Sequence, residues 1–419
     1  MPPAGQPAFR RISCSWLAAV LLAGAAAGAL ANGADGHLHK SEHGGNSHPA
    51  MPESALAGEQ AVRDARATPP ARLQERAALL QTGEAALARR DTVPALNAFD
   101  RASLILHAAD TEIALVRGYM QAGDYRRALS FGAHTAGAHL DVAGGSLLYA
   151  WLLHLGGQTA VAQKVLADMG ARSPDNPLML AVQQQLRSGA PLAAGRLLAL
   201  PMRLAPYAEA TGLPKTARTA GSAVLLPDGN RALVPLRLLP RSPATLWLRN
   251  GLGQLARARI EQRLPALDLA LVRLERPLPV ADEGLALAAS DAFAGSVGFA
   301  VEFVSSARAA GAWPVLRSGF LGGLQGTRGE RLLGIDMPAG PRGGPVFDAA
   351  GQLIGLALPA GARQTGDRLV SVSQLRQALG AVLPAARPVA APGSPRPHSA
   401  ADKIYEASLR TTLQVITAP

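Results

Sequence analysis

The stretch of sequence that decides the fold is residues 340–355, GPRGGPVFDAAGQLIG. Its Gly-Gly-Pro run at 343–345 predicts a tight backbone path, and the apolar residues after Gly351 predict a strand over 353–358. Other short β-type runs, separated by Gly, Pro and Asp, lie at 222–226, 232–239, 246–248, 269–274 and 298–303. A helical period returns only at 372–379, so residues 203–384 are predicted to form an all-β domain of the barrel or sandwich kind.

Two other stretches precede this one in the β domain. The first reads GSAVLLPDG at 221–229 and continues as LVPLRLL at 233–239, and the second reads DLALVRL at 268–274. Together the three stretches resemble the trypsin-like serine proteases, specifically the HtrA type. The resemblance implies a double β-barrel in which the first stretch carries a catalytic histidine, the second an aspartate and the third a nucleophilic serine.

At two of these three catalytic positions the sequence departs from the family. The resemblance places Arg237 at the histidine position and Arg342 at the serine position, so that only Asp268 is retained. Acyl transfer in this fold needs a hydroxyl that attacks and an imidazole that accepts its proton, whereas arginine stays protonated. No histidine lies between His154 and His398 to take over this role. We therefore predict an inactive homologue, a pseudoprotease; the alternative is a serine endopeptidase with a rearranged active site.

Two expectations concern the geometry of this inactive site. If the three positions converge as they do in the family, Arg237 and Arg342 should share the carboxylate of Asp268 in a cluster with one net positive charge. The backbone N–H groups of Gly340 and Arg342 correspond to the family's oxyanion donors, so an anion-sized pocket that includes Gly343 is predicted to persist. The alternative is that the glycines serve only the tight turn.

Upstream of the β domain, residues 71–190 have a helical pattern that repeats. Residues 91–96 align with 124–129 at an offset of 33, and Gly123 recurs as Gly157 at an offset of 34. This period resembles the tetratricopeptide repeat and predicts three helical units followed by a helix near 177–188. A plain helical bundle is the alternative. The overall prediction is a helical repeat array followed by a trypsin-like double β-barrel.

The histidines do not have a metal-ligand spacing in the sequence. His107, His134, His139 and His154 are interpreted as ordinary core or surface residues, and neither a metal nor a cofactor is predicted. Four more histidines at 37–48 belong to residues 32–70, which we predict to be a disordered arm because its composition offers little apolar surface to bury. Loose metal chelation by this arm is the alternative.

The first 31 residues predict a signal peptide. Arg10 and Arg11 precede an apolar run at 16–30, which is too short and alanine-rich for a membrane span, and an A-x-A pattern predicts cleavage after Ala31. The single cysteine, Cys14, lies in this leader, so the mature chain should contain no disulfide. This combination indicates a periplasmic or secreted protein without stable membrane insertion after cleavage.

The net charge of +11 comes with scattered arginines and few aromatics, which argues against nucleic-acid binding.

Residues 385–419 are predicted to be a Pro-rich linker and a C-terminal segment. Residues 403–416 resemble the segment that opens the barrel in HtrA-type domains, yet here they follow the barrel. We expect this segment to dock as a strand, with protected amides from about 408 to 416, on the chain's own barrel or on a partner. A frayed terminus is the alternative.

The function implied by both resemblances is binding. Helical repeats present surfaces to peptides, and a protease barrel keeps a substrate-shaped cleft when its triad is lost. We therefore expect a protein or peptide partner, bound by the repeats, by the barrel cleft or by both. A structural adaptor, in which the barrel only positions the repeats, is a further alternative.

Overall fold

The computed structural model describes residues 56–188, 202–209, 212–239, 245–280, 285–325, 330–337, 342–360, 366–383 and 399–418. The predicted signal peptide at 1–31, the histidines at 37–48 and Gly340 lie outside these ranges, as do residues 385–398 of the predicted linker. All the described residues belong to one compact unit, 49–419. Within them, no helix has the length and apolar character needed to span a membrane.

The N-terminal part is helical, and from α2 onward its consecutive helices pack against one another. The helices are α1 (Glu59–Ala67), α2 (Pro70–Ala88), α3 (Thr92–Ser103), α4 (Ala109–Ala122), α5 (Tyr125–Ala138), α6 (Ala143–Leu155), α7 (Thr159–Arg172) and α8 (Pro177–Ser188). Side chains from successive helices, among them Phe99, Ile113, Tyr125 and Leu152, are fully buried in a shared core. Each helix is therefore stabilised by burial against its neighbours.

The helices follow the period found in the sequence. The helices form the successive pairs α2/α3, α4/α5 and α6/α7. The second helix of each pair begins at Thr92, Tyr125 and Thr159, which gives spacings of 33 and 34 residues. Gly123 and Gly157, each two residues before such a helix, have a φ of 84°, a left-handed conformation that glycine adopts without a steric penalty. In the first pair Arg90 occupies the equivalent position with a φ of 66°. The same turn therefore recurs in all three pairs.

Part of the arm that was predicted to be disordered is helical. Ala61 of α1 is buried in a small apolar cluster with Leu106 and Ala108, and the Glu59 N–H donates to Asp141 Oδ2 at 2.5 Å. The prediction is wrong for this stretch because it considered only local composition. The contacts that hold α1 come from residues far along the chain.

The β part consists of two sheets. Six strands close a barrel in the order β1-β13-β3-β4-β5-β2, and seven form a sheet in the order β7-β6-β10-β11-β12-β9-β8. The strands are β1 (Arg218–Leu225), β2 (Arg231–Pro235), β3 (Leu246–Asn250), β4 (Leu255–Leu264), β5 (Leu269–Leu274), β6 (Val297–Glu302), β7 (Val315–Phe320), β8 (Leu324–Gln325), β9 (Glu330–Leu332), β10 (Pro345–Phe347), β11 (Leu353–Leu358), β12 (Arg368–Ser371) and β13 (Thr412–Thr417). Helix α9 (Val372–Leu379) follows β12. The predicted fold class, a helical array followed by trypsin-like β-barrel sheets, is confirmed.

The C-terminal strand completes the first barrel. β13 pairs antiparallel with β1 on one side and with β3 on the other, so that Val415 faces Gly221 and Leu248. The expected strand docking is therefore confirmed, and it occurs on the chain's own barrel. The strand starts at Thr412, however, and not at 408.

The residues before β13 form helix α10 (Ala401–Thr411). The prediction of a strand from 408 is wrong because Ile404, Tyr405, Ser408 and Leu409 are buried at a helical spacing. Tyr405 donates its hydroxyl to the Pro314 carbonyl at 2.8 Å, and its ring centroid lies 4.5 Å from that of Tyr125 in α5. Helix α10 thus contacts both the helical array and the β part.

Candidate functional site

Two of the three predicted triad positions form an ion pair. Arg237 lies in the 3-10 turn Leu236–Leu238 directly after β2, and its Nε and Nη2 atoms are 3.2 and 2.6 Å from Asp268 Oδ2. The Leu236 N–H also donates to the Asp268 carbonyl at 2.9 Å. The Arg237 and Asp268 side chains are 36% and 29% exposed. Water therefore screens this pair.

The backbone of Asp268 directs its carboxylate toward this turn. Asp268 has a φ of 56° and a ψ of 34° immediately before β5. In the part of the chain that the structure describes, Arg90 is the other non-glycine residue with a positive φ. Aspartate tolerates this left-handed conformation better than most residues, because its short polar side chain can bond locally. Such a conformation persists when the surrounding structure imposes it.

The predicted cluster of Arg237, Asp268 and Arg342 is wrong in its third member. Arg342 is buried, and its Nε donates to Asp367 Oδ2 at 2.7 Å. Its Nη2 also lies 3.4 Å from the carbonyl oxygen of Met337. The resemblance to the family does not predict this partner, because Asp367 lies just before β12, beyond the stretch 340–355 that carries Arg342.

Arg368, the first residue of β12, approaches Asp268 instead. Its Nη2 is 3.6 Å from Asp268 Oδ2, and its side chain is largely buried. The adjacent residues Asp367 and Arg368 therefore connect the two halves of the site, one through Arg342 and the other through Asp268. Among the described residues that make these ion pairs, three arginines and two aspartates give one net positive charge.

The backbone conformation and the close packing of the turn after Arg342 are sufficient to require glycine there. Gly343 has a φ of 137°, and a Cβ there would lie 2.1 Å from the Ser222 carbonyl oxygen of β1. A Cβ on Gly344 would lie 2.0 Å from the Val301 carbonyl oxygen of β6. These glycines thus let the turn approach both sheets, whether or not it supports chemistry. The predicted oxyanion pocket remains a prediction, because Gly340 lies outside the described residues.

The sequence analysis missed Glu302, the last residue of β6, which is buried beside this turn. Its Oε1 accepts from the Gly344 N–H at 3.4 Å, and its Oε2 has no hydrogen-bond partner among the described residues. Burial raises the pKa of Glu302 to about 8, although the Arg342 guanidinium and backbone N–H groups act in the opposite direction. The carboxyl is therefore largely protonated at pH 7. A lone acid in the apolar run VGFAVEF at 297–303 was the available signal.

Three serine hydroxyls of the β part have structural partners. Ser222 Oγ is buried and accepts from the Phe303 N–H at 2.8 Å. Ser371 and Ser373, at the start of α9, both donate to Asp291 Oδ2, at 2.9 and 2.6 Å. The described histidines all lie in the helical part, between 107 and 154. Within the described ranges, this site therefore offers cations and a buried acid but no hydroxyl activated by an imidazole.

Three of the histidines that were interpreted as ordinary residues converge in the helical array. His107, His134 and His139 each place Nε2 within 3.4 Å of a carboxylate oxygen of Glu112. Their spacing in the sequence does not indicate this convergence, because tertiary packing joins residues that share no helix face. His154 lies apart from them, and burial lowers its pKa to about 4.

Comparison with known proteins identifies the β part. Residues 219–356, which include all three predicted triad positions, match the trypsin-like peptidase domain family. Comparison with curated protein sequences gives no match.

Several solved protease structures resemble part of the chain. The MamO protease domain from Magnetospirillum magneticum is 17% identical, with a TM-score of 0.29 over 40% of this chain and 98% of that one. The serine endoprotease from Yersinia pestis is 12% identical, with a TM-score of 0.30 over 40% and 63% of the two chains. The active form of the Rv3671c protease from M. tuberculosis is 16% identical, with a TM-score of 0.29 over 42% and 84%.

Proposed function

We propose that the trypsin-like peptidase domain of this chain is catalytically inactive and binds a protein or peptide. The observation that carries the proposal is the ion pair between Arg237 and Asp268. In an active triad this carboxylate orients an imidazole and stabilises its protonated form. A guanidinium that takes the place of the imidazole cannot accept a proton from a nucleophile.

The predicted nucleophile position supports the same proposal independently. Arg342 has no hydroxyl, and its side chain is buried in a bond to Asp367. Losing both the base and the nucleophile leaves at most the contribution of binding and oxyanion stabilisation, which is roughly 10³–10⁴ over water in serine proteases. We therefore expect that replacing only one of the two arginines leaves the protein inactive.

The charge of the site favours an anionic group on the partner. The net positive charge is accessible through Arg237, which is about one-third exposed. Guanidinium groups bind carboxylates through paired, charge-assisted hydrogen bonds. An acidic side chain or the C-terminal carboxylate of a peptide would fit this requirement.

An exposed apolar surface on the second sheet supports protein binding as well. Val297 of β6 and Phe320 of β7 face each other in register and are 38% and 66% exposed. Phe293, in the turn before β6, is also exposed. Apolar side chains grouped in this way are typical of surfaces that contact another protein.

The absence of catalysis can be tested with a fluorophosphonate probe and with casein as substrate. We expect that neither the mature protein nor Arg342→Ser is labelled and that both leave casein intact, because the base is still missing. The matched variant carries Arg237→His together with Arg342→Ser, which restores both groups. The proposal would be refuted if the probe labels the unmodified protein and if this labelling is lost when a residue of the β domain is changed.

The binding surface can be tested with peptides that differ only in a free or amidated C-terminus. If the site binds a carboxylate, Arg237→Gln should weaken binding of the free form and bring it close to that of the amide. If the apolar surface contributes, Phe320→Asp should weaken both forms equally. Fluorescence anisotropy measures both effects.

A structural adaptor is the second candidate function. It is favoured by α10, where Glu406 Oε1 is 3.1 Å from Arg126 Nε and Arg410 Nη2 donates to the Ala122 carbonyl at 3.0 Å. Through these bonds the β part would position the helical repeats. In that case capture of a partner should be unaffected by Arg237→Gln and Phe320→Asp.

A further inference from the structure

We propose that His107, Glu112, His134 and His139 form a binding site for a divalent transition-metal ion of the Zn²⁺ class. The site lies in the helical array, and no residue of the β part belongs to it. His107 is in the connection between α3 and α4, and Glu112 is on the first turn of α4. His134 lies in α5, and His139 is the residue that ends it. Helices α4 and α5 pack against each other, which brings the four side chains together.

The distances among the donor atoms suit a single ion. His107 Nε2 and His134 Nε2 lie 2.7 and 3.3 Å from Glu112 Oε1, and His139 Nε2 lies 3.4 Å from Glu112 Oε2. Ligands about 2.0–2.1 Å from a tetrahedral Zn²⁺ ion are separated from one another by about 3.3 Å. The candidate atoms of His107, Glu112 and His134 all lie within 4.8 Å of one another. His139 contacts the other carboxylate oxygen, Oε2, so it would join the same ion after rotation of its ring or of the carboxylate.

The buried side of the cluster contains two polar atoms that face each other at 3.4 Å but make no hydrogen bond. Glu112 Oε2 and His139 Nε2 are inaccessible to solvent, and neither makes a hydrogen bond within the described part of the chain. Leaving a buried donor or acceptor unsatisfied is costly. A cation bound between the carboxylate oxygen and the ring nitrogen would satisfy both atoms at once. This pair is the feature that a purely hydrogen-bonded histidine cluster does not explain.

The opposite side of the cluster is open. The side chains of His107 and His134 are 62% and 52% exposed, so an ion could enter without unfolding the array. Within the described residues, the ion pairs of Glu112 are with these three histidines. An incoming cation would therefore not have to displace an arginine or a lysine from the carboxylate.

The donor set identifies the chemical class of the ion. Three imidazole nitrogens and one carboxylate oxygen, without a thiolate, suit Zn²⁺ and its neighbours Ni²⁺ and Cu²⁺. The hard ions Mg²⁺ and Ca²⁺ prefer sites made only of oxygen ligands. A bound ion would tie the connection before α4 to the end of α5 and so fix two successive helices of the array.

The test is calorimetric titration of Zn²⁺ into the mature chain. His37, His39, His43 and His48 are replaced by Asn in every sample, so that the N-terminal arm cannot contribute. We expect one Zn²⁺ per chain and a rise in melting temperature on binding. Binding should weaken at least tenfold in the variant with His107→Asn and His134→Asn, which should fold because both side chains are largely exposed. Mg²⁺ at the same concentration should give neither effect.

The matched control is His154→Asn, the same substitution at the remaining described histidine. His154 Nδ1 lies 3.2 Å from Thr159 Oγ1, away from the cluster, so Zn²⁺ binding should be unchanged. Circular dichroism of each variant without metal verifies its helical content. The proposal is overturned if the chain with the substituted arm binds no stoichiometric Zn²⁺, if Mg²⁺ binds equally well, or if the double variant binds Zn²⁺ like the control.

Discussion

Glu302 should make the stability of the β part fall as the pH rises through neutrality. Burial raises the pKa of its carboxyl to about 8, compared with 4.5 for an exposed glutamate. Between these two values the folded state keeps a proton that the unfolded state has released. The free energy of unfolding therefore decreases with rising pH, by up to about 1.4 kcal/mol per pH unit for this one group. Below pH 4.5 both states are protonated and the effect disappears.

The substitution Glu302→Gln isolates this contribution. Glutamine keeps the shape of the side chain and the oxygen that accepts from the Gly344 N–H, but it does not titrate. Over the interval from pH 4.5 to pH 7 the parent should lose about 3 kcal/mol that the variant keeps. The difference in unfolding free energy between variant and parent should therefore grow by about that amount up to pH 7, rise by about 1 kcal/mol more up to pH 8, and level off above it.

Urea unfolding at pH 5, 6, 7 and 8, followed by tryptophan fluorescence, measures this difference. The control is Glu261→Gln, because Glu261 pairs with Arg273 on the surface and both side chains are well exposed. The difference in unfolding free energy between Glu261→Gln and the parent should stay nearly constant from pH 5 to pH 8. A Glu302→Gln profile that runs parallel to the parent profile from pH 5 to pH 7 would refute the reasoning.

Three further predictions rest on the structure and a fourth rests on the sequence of the leader. Asp268→Asn, which keeps a residue that tolerates the left-handed turn, should lower the unfolding free energy by at most about 1 kcal/mol, because the ion pair is screened; a loss of several kcal/mol on thermal denaturation would contradict this. Leu413→Ala in β13 should cost about 2–5 kcal/mol, because the side chain is fully buried, whereas Leu324→Ala at an exposed position should cost little. Amide exchange over 412–417 should be correspondingly slow, and fast exchange there would exclude a closed barrel. Mass spectrometry of the exported chain should find Asn32 at its N-terminus; a retained leader would contradict the predicted cleavage.

The fold could largely be predicted because its elements have strong local signals. β5 and β11 occupy the apolar runs 269–274 and 353–358, and α9 occupies 372–379 as predicted. The helical period is visible because the same turn and the same small residue return in each unit; Ala95, Ala128 and Ala162 are all fully buried. Such signals depend on neighbours in the sequence, which is why they can be read from it.

The parts that could not be predicted depend on contacts between distant residues. Asp367 binds Arg342 across 25 positions, and no motif of the β domain includes it. In a continuous helix His134 and His139 would point about 140° apart, since five residues turn the chain by 500°. They converge because His139, with a φ of −120° and a ψ of 65°, has already left the helical conformation. Spacing rules for helices therefore miss this cluster.

The position of β13 has a consequence for the order in which the protein can fold. During synthesis the helical array and the other strands described above leave the ribosome before residues 412–417 do. Until then the edges of β1 and β3, which β13 joins, have no partner, and unpaired edges invite pairing with other chains. The first barrel can close only after residues 412–417 have been synthesised, so these two edges must be kept from aggregation until then.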